Sequence, residues 1–174
     1  MAILMFVARI HDIQSRLFAK QQRLTEITRR ISDLQEYAAS IADGSVTLEE
    51  MMTVPGSMFG RMFQYMGNSH NQALMYSENQ FNNPGFQQAL GPQLQQMDPQ
   101  AQQQYIAWIK HSMYSQAREQ IGKQEARLLH QQEKKLVLEK EKLEASIKMD
   151  EADLKSSREA RDKGIEQMAP KYVA

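Results

Sequence analysis

The chain contains no cysteine. That excludes disulfides, thiolate catalysis and zinc sites built on sulfur, and it leaves the redox compartment open. An excess of charge of one sign is missing too, since 21 Lys and Arg balance 21 Asp and Glu. A nucleic-acid binder needs a positive footprint, and the one local cluster, Arg127, His130, Lys134 and Lys135, is interrupted by Glu125 and Glu133. Long apolar runs are absent as well. The longest, AILMFVA at residues 2–8, is far short of the roughly 20 residues that cross a membrane. It also lacks the basic leader and small-x-small site of a secretory signal. The expectation is no classical signal peptide and no transmembrane helix, hence a cytoplasmic protein or one exported by a signal-independent route.

Catalytic constellations are missing in turn. His11, His70, His111 and His130 are far apart, and none forms the i, i+4 pair with a nearby carboxylate that a helical zinc site shows. There is no Gly-rich phosphate loop, and the Ser69-His70 dipeptide has no strand-turn-helix context. Glu139, Glu141, Glu144, Asp150 and Glu151 stand among lysines, as on a solvated helix face. The expectation is a protein that is not an enzyme, with no cofactor, no metal site and no catalytic residue.

What is present is helical periodicity. Ile3, Phe6, Ile10, Ile13, Leu17, Lys20, Leu24, Ile27, Ile31, Leu34, Ala38 and Ile41 follow steps of three and four, and eleven of these twelve are apolar. A mean step of 3.5 keeps one seam facing a partner helix, as in a coiled coil or bundle. Asp43-Gly44 supplies a stop, so residues 1–43 read as an N-terminal coiled-coil helix. Asp98 and Pro99 mark the start of another, as N-cap and first helical residue. No proline follows until Pro170. Residues 99–168 therefore read as a long C-terminal helix of roughly 105 Å, against roughly 60 Å for the first, with 169–174 as a tail. Its apolar residues Ile121, Leu143, Leu154 and Ile165 fall at multiples of eleven, with Leu136 and Ile147 eleven apart beside them. That spacing gives a nearly straight helix whose seam matches heptads imperfectly.

Residues 44–98 differ in composition. They hold seven of the twelve methionines and no lysine. Thr47 and Glu50 fit a capping box before Pro55-Gly56 turns the chain, and Ser57 can cap a further short helix. In that helix Met58, Phe59, Met62, Phe63 and Met66 form one adaptable apolar face, ended by Gly67. Phe86 to Leu90 adds one more turn before Gly91-Pro92. The face reads either as a local core folded back on Trp108, Ile109, Met113 and Tyr114 or as a soft groove for a partner.

A long N-terminal helix, a variable middle and a long C-terminal helix resemble the layout of secretion-type filament subunits such as flagellins and type III secretion filament proteins. QQEKKLVLEKEKLEASI looks like the coiled-coil stalk proteins of flagellar and type III export machines. The expected fold is all-α, an elongated helical hairpin or coiled coil with an irregular Met-rich helical cap (residues 44–98) between the long helices. The expected function is a structural or scaffold subunit that self-associates or docks into a larger assembly. An export stalk or chaperone holding a client helix is the alternative, and a membrane-surface binder is third. The partner is this chain itself or another helical protein, not nucleic acid, and a membrane is disfavoured. If the helices close on each other near residues 43 and 99, Ile3 comes level with residue 139. Residues 140–168 then lack a partner in their own chain. The residues expected to meet a partner are thus Ile3, Phe6, Ile10, Ile13 and Leu17, the apolar face from Met58 to Met66, and Leu143, Ile147, Leu154 and Ile165.

Overall fold

A computed structural model describes residues 2–41 and 48–168. Among these, 92% are helical and none lies in a strand. The elements are α1 (Ala2–Ser40), α2 (Leu48–Thr53), α3 (Phe59–Phe81), α4 (Pro84–Leu94) and α5 (Pro99–Met168), and the long α1 and α5 pack together as an all-α hairpin. The Asp43-Gly44 stop, Thr47 and the 169–174 tail fall outside the described residues. Two compact units share the chain: Met1–Ser32 with Lys134–Ala174, and Asp33–Glu133.

In the first unit α1 lies antiparallel to the C-terminal part of α5, with the seam its heptads require. Ile10, Ile13, Leu17 and Ile27 are buried, while Ile3, Phe6, Leu24 and Ile31 are half-buried. Ile13, Leu17 and Ile147 form a core on which Leu24, Leu143 and Leu154 pack; each fully buried side chain of this kind contributes about 1.5–3 kcal/mol.

The register differs from the expected one. Ile3 stands 3.7 Å from where a Cβ on Gly164 would lie, Arg9 bridges to Asp153 at 3.2 Å and Arg23 to Glu139 at 3.0 Å. Residues 140–164 therefore lie alongside α1, and Leu143, Ile147 and Leu154 are seam residues of their own chain. The cause is that α1 does not fold back onto the start of α5, whose first turns lie against α4 and α3 instead.

The eleven-residue spacing is also corrected. The inward face of α5 runs Leu136, Lys140, Leu143, Ile147, Asp150, Leu154, Ser157, Arg161 and Gly164, again in steps of three and four and all buried or half-buried. Polar and glycine members interrupt its apolar signal, so only Leu136, Leu143, Ile147 and Leu154 of these nine register as apolar. Ile165 falls beside this seam and stays 49% exposed.

Lys20, the non-apolar member of the α1 seam, meets Asp150. Its Nζ donates to Asp150 Oδ2 at 2.5 Å and to Ser146 Oγ at 2.7 Å. The side chains are only 27% and 12% exposed, so each charge has lost most of its water and depends on the other. Asp150→Ala should destabilise the protein by about 1–3 kcal/mol, because Lys20 is left unpaired in the seam. Lys20→Met with Asp150→Leu should return to within about 1 kcal/mol of the parent in urea unfolding. A loss under about 0.5 kcal/mol for Asp150→Ala would show that the pair does no structural work.

In the second unit α3 lies antiparallel to the N-terminal part of α5. Arg61 pairs with Glu125 at 2.8 Å, His70 with Tyr114 at 2.8 Å, and the Lys110 ammonium sits 4.5 Å from the Phe81 ring centre. The expected stop at Gly67 is passed. One glycine costs a helix about 1 kcal/mol, and the buried face Met62, Tyr65, Ser69, Ala73 and Ser77 continues through it. Likewise α4 passes Gly91-Pro92 to end at Leu94. Ser57 does not cap α3, since its hydroxyl donates to Asp33 Oδ2 at 2.5 Å. The start of α5 is as expected: Pro99 is its first residue and Asp98 Oδ1 accepts from Ala101 N–H at 2.6 Å, a cap worth about 1 kcal/mol.

Candidate protein-docking face

The second unit is held by close packing of small side chains. Ser69 and Ala73 are fully buried on α3, and Ser77 nearly so. The Ser69 and Ser77 hydroxyls donate to carbonyls of their own helix, Met66 O at 3.2 Å and Leu74 O at 2.9 Å, whereas the buried hydroxyls of Tyr65 on the same row and of Tyr37 have no hydrogen-bond partner among the described residues. On α5, Ala117 and Gly122 are buried. The last turns of α1 add Tyr37, fully buried, with the Arg61 guanidinium 5.8 Å from its ring centre. Tyr37 was not legible as core because it lies beside the heptad seam, where α1 gains α3 as a second neighbour. Burial, reinforced by Glu125, pushes the Tyr37 hydroxyl far above the ordinary tyrosine range, and burial raises Tyr65 as well. Both stay neutral and serve packing rather than acid–base chemistry.

The flank of α3 beside this buried row is apolar yet exposed. Phe59 is 48% exposed, Phe63 64% and Leu74 40%; with half-buried Met66 and exposed His70 they follow steps of three and four along one face. The Phe59 and Phe63 rings lie 6.3 Å apart. Beside them Phe63, Met66, Gly67, His70 and Arg118 line an open groove of about 390 Å³. Its wall is fixed by Tyr114, whose hydroxyl is hydrogen-bonded with His70 Nδ1 and accepts from Arg118 Nη1 at 3.1 Å. A second groove of about 370 Å³ opens between α4 and α5, lined by Phe86, Leu90, Tyr105, Trp108 and Met113 among others. Trp108 is 63% exposed and stacks on Tyr105 with ring centres 5.9 Å apart.

The expected partner residues thus separate into two groups. Met62 is fully buried, as are Ile10, Ile13, Leu17 and Ile147 within about a tenth of full exposure, so the chain already covers them. Ile3, Phe6, Met58, Met66, Leu143 and Leu154 are half-buried, while Phe59, Phe63 and Ile165 are exposed. The fold-back onto α5 buries Ile109 but leaves Trp108 out.

Electrostatics mark the same unit. From Met62 to Ala117 the only Lys, Arg, Asp or Glu residues are Glu78, Asp98 and Lys110. An exposed surface rich in Phe, Trp, Tyr and Met and depleted of charge has the composition of the core of a protein–protein interface. Among the described residues no three His, Asp or Glu side chains gather as a metal site would require.

Ala73→Leu should destabilise by about 1–3 kcal/mol through overpacking between α3 and α5, whereas the adjacent, outward Leu74→Ala should cost under about 0.5 kcal/mol. Equal effects in denaturant unfolding would show that the buried and exposed faces of α3 are assigned wrongly. Comparison with protein-family models, curated proteins and solved structures finds no match for the chain.

Proposed function

We propose that the protein is a non-enzymatic assembly subunit that docks onto another protein chain through the aromatic and methionine face of its second unit. The observation that carries this reading is the exposure of Phe59 and Phe63 on α3 and of Trp108 on α5, in a stretch of chain that holds few charged residues. Solvent contact of that size is unfavourable at about 25 cal/mol per Å² of apolar area, and a partner removes it. A filament or appendage subunit fits this behaviour, with further copies of the chain as the partner.

A second reading, an export chaperone or stalk, rests on the α3 stripe itself. Met and Phe at helical spacing make an adaptable groove wall of the kind that accepts an amphipathic client helix. Membrane-surface binding is a third, tested by liposome flotation; no described helix is long and apolar enough to cross a membrane.

Molar mass by light scattering over a hundredfold range of concentration tests the first reading. The parent chain should form assemblies larger than a pair, and Phe59→Asp with Phe63→Asp should reduce their mass while helicity is retained, since both side chains are already half exposed. A parent that gains mass only when a client helix is added supports the chaperone reading. A variant whose assemblies are unchanged removes this face from the interface.

A further inference from the structure

The first unit carries a face that its own chain leaves open. Along one edge of the α1–α5 seam run the bridges Arg9–Asp153 and Arg23–Glu139. The other edge of α1 is different. A stripe stepping by three and four from Leu4 through His11, Phe18 and Thr25 to Ser32 is exposed throughout and contains no Lys, Arg, Asp or Glu, every one of which on α1 lies elsewhere. Phe18, at its midpoint, is 63% exposed.

The adjoining flank of α5 is charged, in an order that reads the same against itself. About the point midway between Lys148 and Glu151, an antiparallel second copy places Glu141 opposite Arg158, Glu144 opposite Lys155 and Lys148 opposite Glu151, so every one of these meets the opposite sign. Within one chain Lys148, Glu151, Lys155 and Arg158 form no ion pair among the described residues, and Glu144 has only a 3.9 Å contact with Lys140.

The two centres fall at the same height. Ile3 lies against Gly164; moving the same fifteen positions inward along each helix arrives at Phe18 and Met149. One twofold axis perpendicular to the helices therefore serves both, setting Phe18 on Phe18 of the second copy while the α5 charges pair beside them. We infer that this face joins two copies of the chain as an all-antiparallel four-helix bundle of first units. Such an interface is self-complementary, as twofold symmetry requires. The face is about 42 Å long over residues 4–32 and two helices, roughly 20 Å, wide. That matches the roughly 800 Å² per partner of a stable complex. An uncharged stripe meets its own copy without repulsion, and an alternating flank meets its own copy with attraction. The inference concerns the other unit and stands apart from the docking face of α3.

The test uses the full chain with Phe59→Asp and Phe63→Asp, so that α3 no longer contributes. This protein should be a dimer by light scattering and sedimentation equilibrium. Adding Phe18→Asp should weaken it about 100-fold. Glu144→Lys alone should weaken it about tenfold, because like charges then meet twice across the axis, and Lys155→Glu added to it should restore the parent affinity. Because the chain has no cysteine, Phe18→Cys should be oxidised rapidly to a disulfide-linked dimer, while Thr25→Cys, which faces His11 of the second copy, should not. A monomer at every concentration overturns the proposal. So does a dimer indifferent to Phe18→Asp, or a charge swap that fails to rescue.

Discussion

An unbroken helix of 70 residues presents an inward seam that must be covered along its length, and the rest of the chain is arranged around that need. No single earlier helix is long enough. The C-terminal part of α5 is covered by α1, which pairs through heptads with Lys20–Asp150 as an ionic layer. The N-terminal part is covered by α3 and α4, which pack through small side chains and rings. The two units are thereby packed differently, the first with its register fixed by ion pairs along the seam, the second through a buried row of small residues on α3 with the Arg61–Glu125 pair beside it.

The ionic layer explains why the register of the first unit is definite. Apolar layers of similar size can slide by a heptad at modest cost, but a slide that parts Lys20 from Asp150 strands two poorly solvated charges. Leucine at both positions would pack as tightly and specify less. In the second unit the same role falls to shape. Ser69, Ala73 and Ser77 form a buried row on α3, and a large residue brought into that row by a shift would not fit.

The α1 seam was plain in the sequence because its apolar members are nearly uninterrupted from Ile3 to Ile41. The facing seam on α5 was not, since Lys140, Asp150, Ser157, Arg161 and Gly164 occupy inward positions that composition alone assigns to solvent. Their inward placement follows from the partner helix, which periodicity within one segment does not contain. The length of α3 was hidden for a similar reason. Gly67 and many Asn and Gln residues speak for a turn, and only the buried row on both sides of Gly67 outweighs them. The Met/Phe stripe was visible as a stripe, but the spacing could not divide it; neighbours Met62 and Phe63 end at 0% and 64% exposure. The twofold order of charges on α5 needed the register, because it acquires meaning only when its centre is found level with Phe18.

The ionic layer also constrains how this protein can change in length. A residue inserted or deleted in α1 between Ile13 and Lys20 would rotate everything upstream by about 100° around the helix, carrying Ile10 and Ile13 out of the seam and the first half of the uncharged stripe off its face. Only changes of about a whole heptad keep both faces in phase, and α5 would have to gain or lose the same between Asp150 and Gly164. Length variation in the first unit is therefore confined to matched steps on two distant parts of the chain. Among relatives it is expected to occur in paired multiples of seven or not at all.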